Sequence, residues 1–84
     1  MKGLFVELVT PAGKVFEGEA NAVQLPGVLG SFQILLNHAP LISALGKGLV
    51  KIDLEKESKT FQITDGIVEV LDNKVAILVE SVSE

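Results

Sequence analysis

Apolar residues recur with period two along almost the whole chain, and that spacing restricts it to strands. Leu4, Val6 and Leu8 alternate with Phe5, Glu7 and Val9; Val50, Ile52 and Leu54 alternate with Lys51, Asp53 and Glu55; Phe61 and Ile63 alternate with Thr60, Gln62 and Thr64. Successive side chains of a strand point to opposite faces, so each run has one buried and one wet side. Turn signals punctuate the runs. Thr10-Pro11-Ala12-Gly13 suits a type I turn, Asp65-Gly66 suits a tight hairpin or a bulge, and Asp72-Asn73 precedes Lys74. The candidate strands cover 3–9, 14–20, 22–26, 30–36, 41–45, 48–56, 59–64, 67–71 and 74–82, and no segment reads as a helix. Short strands at regular intervals without helices predict an all-β antiparallel sandwich or barrel, with no room for a parallel crossover architecture.

A chain of 84 residues is expected to form one domain over 1–84, because two cores at this length would each bury too little apolar surface. Hydrophobic residues make up 48% of it, with neither Trp nor Tyr, so an aliphatic core can form without disulfide or structural metal. The absence of cysteine removes thiol catalysis and thiolate metal sites together. A net charge of −4 has the wrong sign for gripping phosphate backbones or an anionic lipid surface. Nucleic acid is therefore not an expected partner. The longest aliphatic stretch, Val75 to Val79, is far short of the roughly 20 residues of a spanning helix. Glu7 interrupts the apolar part of the N-terminal segment, which is unlike a signal peptide. The expectation is a soluble chain that stays on the side of the membrane where it was made.

Candidate chemistry fails at each point where it could be sought. Gly27-Val28-Leu29-Gly30-Ser31 and Gly46-Lys47-Gly48 resemble fragments of a phosphate loop, but Leu41 stands where the first glycine belongs and Gly48 where Ser or Thr belongs. A strand follows where a helix N-terminus should face the phosphates. His38, the single histidine, lies near Ser31 and Ser43, yet no acidic residue occurs between Asn21 and Ala44 to orient it as a base. One imidazole without cysteine does not make an ordinary zinc site. A structural or interfacial role has a mechanism: Pro40 pushes Ala39 towards an extended conformation, and Asn37 tolerates the left-handed region, so His38 stands at a stiff corner. There it can make a hydrogen bond across the turn. Asp53, Glu55 and Glu57 read as a solvated edge that discourages sheet-to-sheet association.

With chemistry set aside, Pro26-Gly27, Gly30, Phe32, Ile34, Asn37-His38-Ala39-Pro40-Leu41-Ile42-Ser43, Leu45 and Gly48, followed by Val50-Lys51-Ile52, closely resemble the epsilon-subunit family of the rotary F-type ATP synthases. The likeness extends through the opening Leu4-Phe5-Val6-Glu7-Leu8-Val9-Thr10-Pro11 run, Phe16-Glu17-Gly18, Asp65-Gly66-Ile67-Val68-Glu69-Val70 and the closing Asn73 to Val79 strand. Two departures stand out. Many members have Gly where this chain has Asn37, and many carry a C-terminal helical hairpin where this chain stops at Ser83-Glu84.

The resemblance implies a flattened antiparallel β-sandwich of about ten short strands without a C-terminal helical hairpin. It also implies a non-catalytic central-stalk subunit that secures the gamma subunit to the c-ring, at the cytoplasmic face of a bacterial inner membrane. Val28, Leu29, Gly30, Ser31 and Phe32 are expected to face the c-ring; His38, Ala39, Leu41, Ile42 and Ser43 are expected to face gamma. Pro26, Gly27, Asn37 and Pro40 are expected to stiffen the loops, with Phe32 and Ile34 anchoring them from beneath. No cofactor, metal, small-molecule substrate or ATPase activity is expected, and without the hairpin the chain is expected to couple rotation and not to inhibit it. A lipoyl or biotinyl carrier is the rival from another class, with Lys74 as its modified residue, but Asn73 and Val75 do not suit its lysine motif. A generic peptide-binding sandwich leaves the Asn-His-Ala-Pro run without a purpose.

Overall fold

A computed structural model describes residues 3–83, so Met1, Lys2 and Glu84, which belong to the N-terminal segment and the closing tail, lie outside the described residues. The strands are β1 (Leu4–Thr10), β2 (Gly13–Ala20), β3 (Ala22–Gly27), β4 (Gly30–Leu35), β5 (Leu41–Leu45), β6 (Gly48–Asp53), β7 (Ser58–Ile63), β8 (Gly66–Leu71), β9 (Lys74–Val79) and β10 (Val82–Ser83). No helix occurs among the described residues. Two of the predicted runs are shorter than expected by more than one residue. The 48–56 run stops at Asp53, where Leu54 N–H donates to Glu57 O at 2.8 Å and closes a turn. The 74–82 run breaks at Glu80-Ser81 and resumes as β10.

The strands form one ten-stranded sheet that curls on itself, a path of nine strands with β4 branching from β3. It resolves into two layers, β4-β3-β6-β7-β10 and β5-β8-β9-β1-β2, joined at the end of β3. One edge of β3 pairs with β4 along its length, while the other starts against β6, from Ala22↔Asp53 to Gln24↔Lys51, and ends against β5 at Gly27↔Leu45. Pro26, which has no N–H to donate, falls between the last rung with β6 and the first with β5. Its carbonyl accepts from Gly46 N–H at 2.8 Å, and Val28 N–H donates to Ala44 O at 3.2 Å, which completes the seam.

Every pair is antiparallel except β1 with β9, which run parallel in register from Phe5↔Lys74 to Val9↔Leu78. A parallel pair needs a long connection. Here almost the entire chain supplies it, so no crossover helix is required. Asp65-Gly66 also departs from expectation, since it turns neither a tight hairpin nor a bulge. β7 pairs with β6 and β10, whereas β8 pairs with β5 and β9, so Thr64-Asp65 carries the chain from one layer to the other. Asp72-Asn73 does form a hairpin loop, with φ of 51° and 64°, the positive pair that a type I′ turn demands.

The core lies between the layers. Leu4, Val6 and Leu8 of β1, Val23 and Leu25 of β3, Ile34 of β4, Val50 and Ile52 of β6, Val68 and Val70 of β8, and Val75 and Ile77 of β9 are buried, and no buried polar residue occurs among the described residues. Phe16 of β2 meets Phe61 of β7 across the gap, ring centroids 6.4 Å apart and tilted by 52°. Strand alternation alone places these side chains inward; sequence-distant pairing brings them together. The crossing at Gly66 is close: a Cβ there would lie 2.5 Å from Leu78 O and 2.7 Å from Val79 Cγ1. Gly66→Ala is expected to cost about 1–3 kcal/mol of stability through overpacking. Gly46→Ala, whose Cβ would approach no heavy atom closer than 3.9 Å, is expected to cost much less. Paired urea denaturation curves check the difference.

Candidate functional site

Two loops at opposite ends of β4 contain the predicted site residues. At one end, the Gly27↔Gly30 rung leaves only Val28 and Leu29 to turn the β3–β4 hairpin. Gly30 has φ 137°, outside the reach of ordinary residues. Leu29 is fully exposed and Val28 is exposed at 60%, so the tip offers apolar side chains without charge. Ser31 is exposed and its Oγ accepts from Gln24 Nε2 at 3.2 Å. Phe32 differs from the others grouped with it: its ring is half-buried and packs against the core beside the fully buried Ile34. A Cβ on Gly27 would strike that ring at 2.8 Å and Gly30 O at 2.6 Å, which makes Gly27 a glycine by close approach. Phe32 therefore supports the tip from below.

At the other end, the β4–β5 loop turns through Asn37 at φ 66°. His38 N–H donates to Leu35 O at 3.2 Å. The imidazole bonds locally and not across the turn, with Nδ1 2.7 Å from Ala39 O. A carbonyl only accepts, so Nδ1 carries the proton in this bond and a neutral ring keeps Nε2 as an acceptor. The bond across the gap is made by Asn37. Its N–H donates to Asn73 Oδ1 at 2.6 Å, and Asn73 Nδ2 donates to Asn37 Oδ1 at 3.2 Å. Asn73 is thus a loop-holding residue that reading along the sequence passed over. Its signal was faint: a second Asn in a turn demanding positive φ, 36 residues away.

Alternation divides the residues that follow. Ile42 points outward, 72% exposed, whereas Leu41 is half-buried against the core and Ser43 is half-buried with its Oγ 3.4 Å from Ala44 O. Ala39 and Pro40 are exposed. The outward companion of Ile42 along β5 is Ala44.

Register then extends this surface across the second layer. One row runs Ile42, Glu69, Ala76, Glu7, Glu17; the next runs Ala44, Ile67, Leu78, Val9, Lys14. Ile67 and Leu78 are half exposed, and with Val9, Pro11 and Glu80 they line an open groove of about 520 Å³. A smaller hollow of about 350 Å³ lies among Pro40, Ile42 and Leu71. The outer face of the first layer is different, with Gln33, Gln24, Lys51 and Thr60 side by side across its middle. The apolar face had a trace in the sequence, because Val75 to Val79 is aliphatic on both sides of its strand. Which side meets solvent is decided by pairing.

Ser31 and His38 stand at opposite ends of β4, and no cluster of three or more His, Cys, Asp or Glu suited to a metal occurs among the described residues. The glycines at 27, 30, 46 and 48 bracket strands. Asp53 accepts from Ser58 Oγ at 2.6 Å, while Glu55 and Glu57 sit exposed in the turn after β6.

The family is clear from comparison. Residues 3–84 match the model of the "ATP synthase, Delta/Epsilon chain, beta-sandwich domain" family. The chain belongs to the ATP synthase epsilon family. It is 46% identical over 83 residues to the ATP synthase epsilon chain of Chlorobaculum tepidum, covering 98% of this chain and 94% of that one. It is 41% identical over 88 residues to that of Salinibacter ruber, covering 94% of this chain and 59% of the relative. Among solved structures, the fold of this epsilon-family chain superposes on a chain of the Euglena gracilis mitochondrial ATP synthase with a TM-score of 0.92 at 16% identity, covering 99% of this chain and 54% of that one. A chain of the Tetrahymena thermophila mitochondrial ATP synthase central stalk and c-ring gives 0.85 at 22%, covering 99% and 67%. No described helix of the epsilon-family chain is long and apolar enough to cross a membrane.

The apolar layer face ends in a small ionic cluster. Lys14 Nζ lies 3.0 Å from Glu7 Oε2 and 3.1 Å from Glu17 Oε1. The hydrogen bond from Lys14 is the main cause that holds the Glu7 carboxyl below its ordinary value of 4.5, and the bonds to Glu7 and Glu17 hold Lys14 above 10.5. A lowered carboxyl pKa stabilises the fold above the unfolded value and loses that contribution as pH falls through the folded one. For Lys14 the contribution is present below 10.5 and is lost as pH rises through its raised pKa. Lys14→Met is expected to move the Glu7 titration upward, towards its ordinary value, in an NMR pH series. A Glu7 midpoint unchanged by the substitution would show that the pair does not persist in solution.

Proposed function

We propose that this chain is a non-catalytic rotor subunit that secures the gamma subunit to the c-ring and so couples ion-driven rotation to ATP synthesis, at the cytoplasmic face of a bacterial membrane. The observation that carries this reading is the separation of two stiff loops by one strand. A strand of this length spans roughly 17–20 Å, so the β3–β4 tip and the β4–β5 loop can engage different partners without mechanical slack between them. The Tetrahymena structure of similar fold comes from a central stalk and c-ring assembly, which supports the same role.

Val28, Leu29, Gly30 and Ser31 form the c-ring-facing tip, with Phe32 and Gly27 beneath it and Pro26 at its root. His38, Ala39 and Ile42 face gamma, with Leu41 and Ser43 holding the segment to the core and Asn37 and Pro40 setting its corners. Ala44, Ile67 and Leu78 continue the gamma-facing surface across the layer. Torque transmission suits such a surface because its exposed side chains stand on paired strands, which resist bending.

Binding energy concentrates in a few anchors near the centre of an interface. Ile42→Asp is expected to weaken gamma binding by at least roughly tenfold, as for the loss of one anchor, while the domain keeps its unfolding midpoint. Titration of gamma with both forms measures it; equal affinities would remove Ile42 from the interface. At the other loop, Ser31→Cys is expected to cross-link to a cysteine in the polar loop of a c subunit. Cross-linking confined to the catalytic head would put the tip at the wrong end of the stalk.

A further inference from the structure

We propose that Asn37 and Asn73 form a clasp that positions the His38–Ser43 segment before it docks, an inference that rests on reading that segment as gamma-facing. The β4–β5 loop passes from the first layer to the second, and it has little of its own to hold it. Its one described backbone bond is His38 N–H to Leu35 O; Pro40 has no donor, and the imidazole bonds to its neighbour Ala39. The tether to the second layer is the Asn73 side chain, which bonds both the backbone and the side chain of Asn37. Asn37 N–H meets Asn73 Oδ1 at 2.6 Å, and Asn73 Nδ2 returns to Asn37 Oδ1 at 3.2 Å.

Asn73 is itself fixed. It is the second residue of the β8–β9 turn, and its carbonyl accepts from Phe5 N–H at 2.9 Å, which locks it to β1, an interior strand of the layer. Position 37 is thereby referred to the register of three strands. Both residues have positive φ, 66° and 64°, a conformation that glycine adopts without steric cost and few other residues tolerate. Glycine would satisfy the backbone at either place, but at 73 it would lose both bonds and at 37 the one that Asn37 Oδ1 accepts. Conformation alone therefore leaves the two amides unexplained, and mutual bonding explains both.

The consequence for docking follows from entropy. A loop ordered in the free chain loses less freedom on binding than one that must be ordered by its partner. Asn73 acts here as a positioning residue, since it lies behind the segment it holds.

The test uses the full chain with four substitutions, read by amide hydrogen exchange of the free protein and by titration with gamma. Asn73→Gly keeps the left-handed turn and the backbone bond to Phe5 but removes both clasp bonds. The Asn37 amide is expected to exchange roughly tenfold faster, about the worth of one exposed hydrogen bond, with β1 and β9 amides unchanged and gamma affinity several-fold lower. Asn37→Asp keeps both the backbone donor and an acceptor oxygen, and is expected to match the parent chain in both measurements. If Asn73→Gly loosens the whole fold, Asn73→Ala removes the same two bonds without glycine's added freedom in the unfolded chain, and the same local acceleration is expected. Unchanged Asn37 exchange in both Asn73 variants would overturn the clasp. Faster exchange with parental affinity, while Ile42→Asp does weaken binding, would overturn its positioning role alone. Parental affinity in Ile42→Asp would instead overturn the docking surface, and the positioning role with it.

Discussion

The structure depends on the change of partner along one edge of β3. Between Gln24↔Lys51 and Gly27↔Leu45 that edge leaves β6 and takes up β5, and the sheet turns from one layer into the other. Pro26 occupies the gap, where an amide N–H would have lacked a strand to receive it. Gly48 is drawn close as well: a Cβ there would lie 2.8 Å from Pro26 Cβ. A backbone that turns this tightly needs residues without bulk or without a donor, and the Pro-Gly pair supplies one of each. Because the seam fixes how the layers face, it also fixes which side of every strand is buried.

From that corner the two candidate docking elements take their places. The β3–β4 tip is the continuation of β3 beyond the seam, stiffened by Gly27 against the Phe32 ring, and the β4–β5 loop carries the chain to the second layer at the far end of β4. One is held by close packing and the other by paired amides. The layers also differ in their outer surfaces. Across the first, Gln24, Gln33, Lys51 and Thr60 meet water; across the second, Ile42, Ala44, Ile67 and Leu78 form an apolar band bordered by the Lys14 cluster. Under the proposed function this band continues the gamma-facing surface.

The candidate site was legible in part. The stiff corner at Asn37 and Pro40 and the inward anchors Phe32 and Ile34 could be argued from residue chemistry. Grouping Leu41, Ile42 and Ser43 as one contact surface required more than chain order provides, because neighbours along a strand face opposite ways. The His38 bond was expected across the turn and is made to Ala39 instead; the crossing bond belongs to Asn37, whose partner is 36 residues distant. Local composition carries no information about such a partner.

The sequence by itself determined most of the strand runs, the turns at positive φ and a largely aliphatic core. These follow from side-chain alternation, steric limits on φ and the transfer of apolar surface from water, all of which act within a few residues. Tertiary structure decided the rest: the parallel meeting of β1 with β9, the use of Thr64-Asp65 to change layers instead of turning a hairpin, the outward face of β8 and β9, and the Asn37–Asn73 pair. Each depends on which strand edges find one another. Backbone hydrogen bonds are alike at every residue, so pairing is chosen by the fit of whole layers around a shared core, and that choice exists only once the chain has folded.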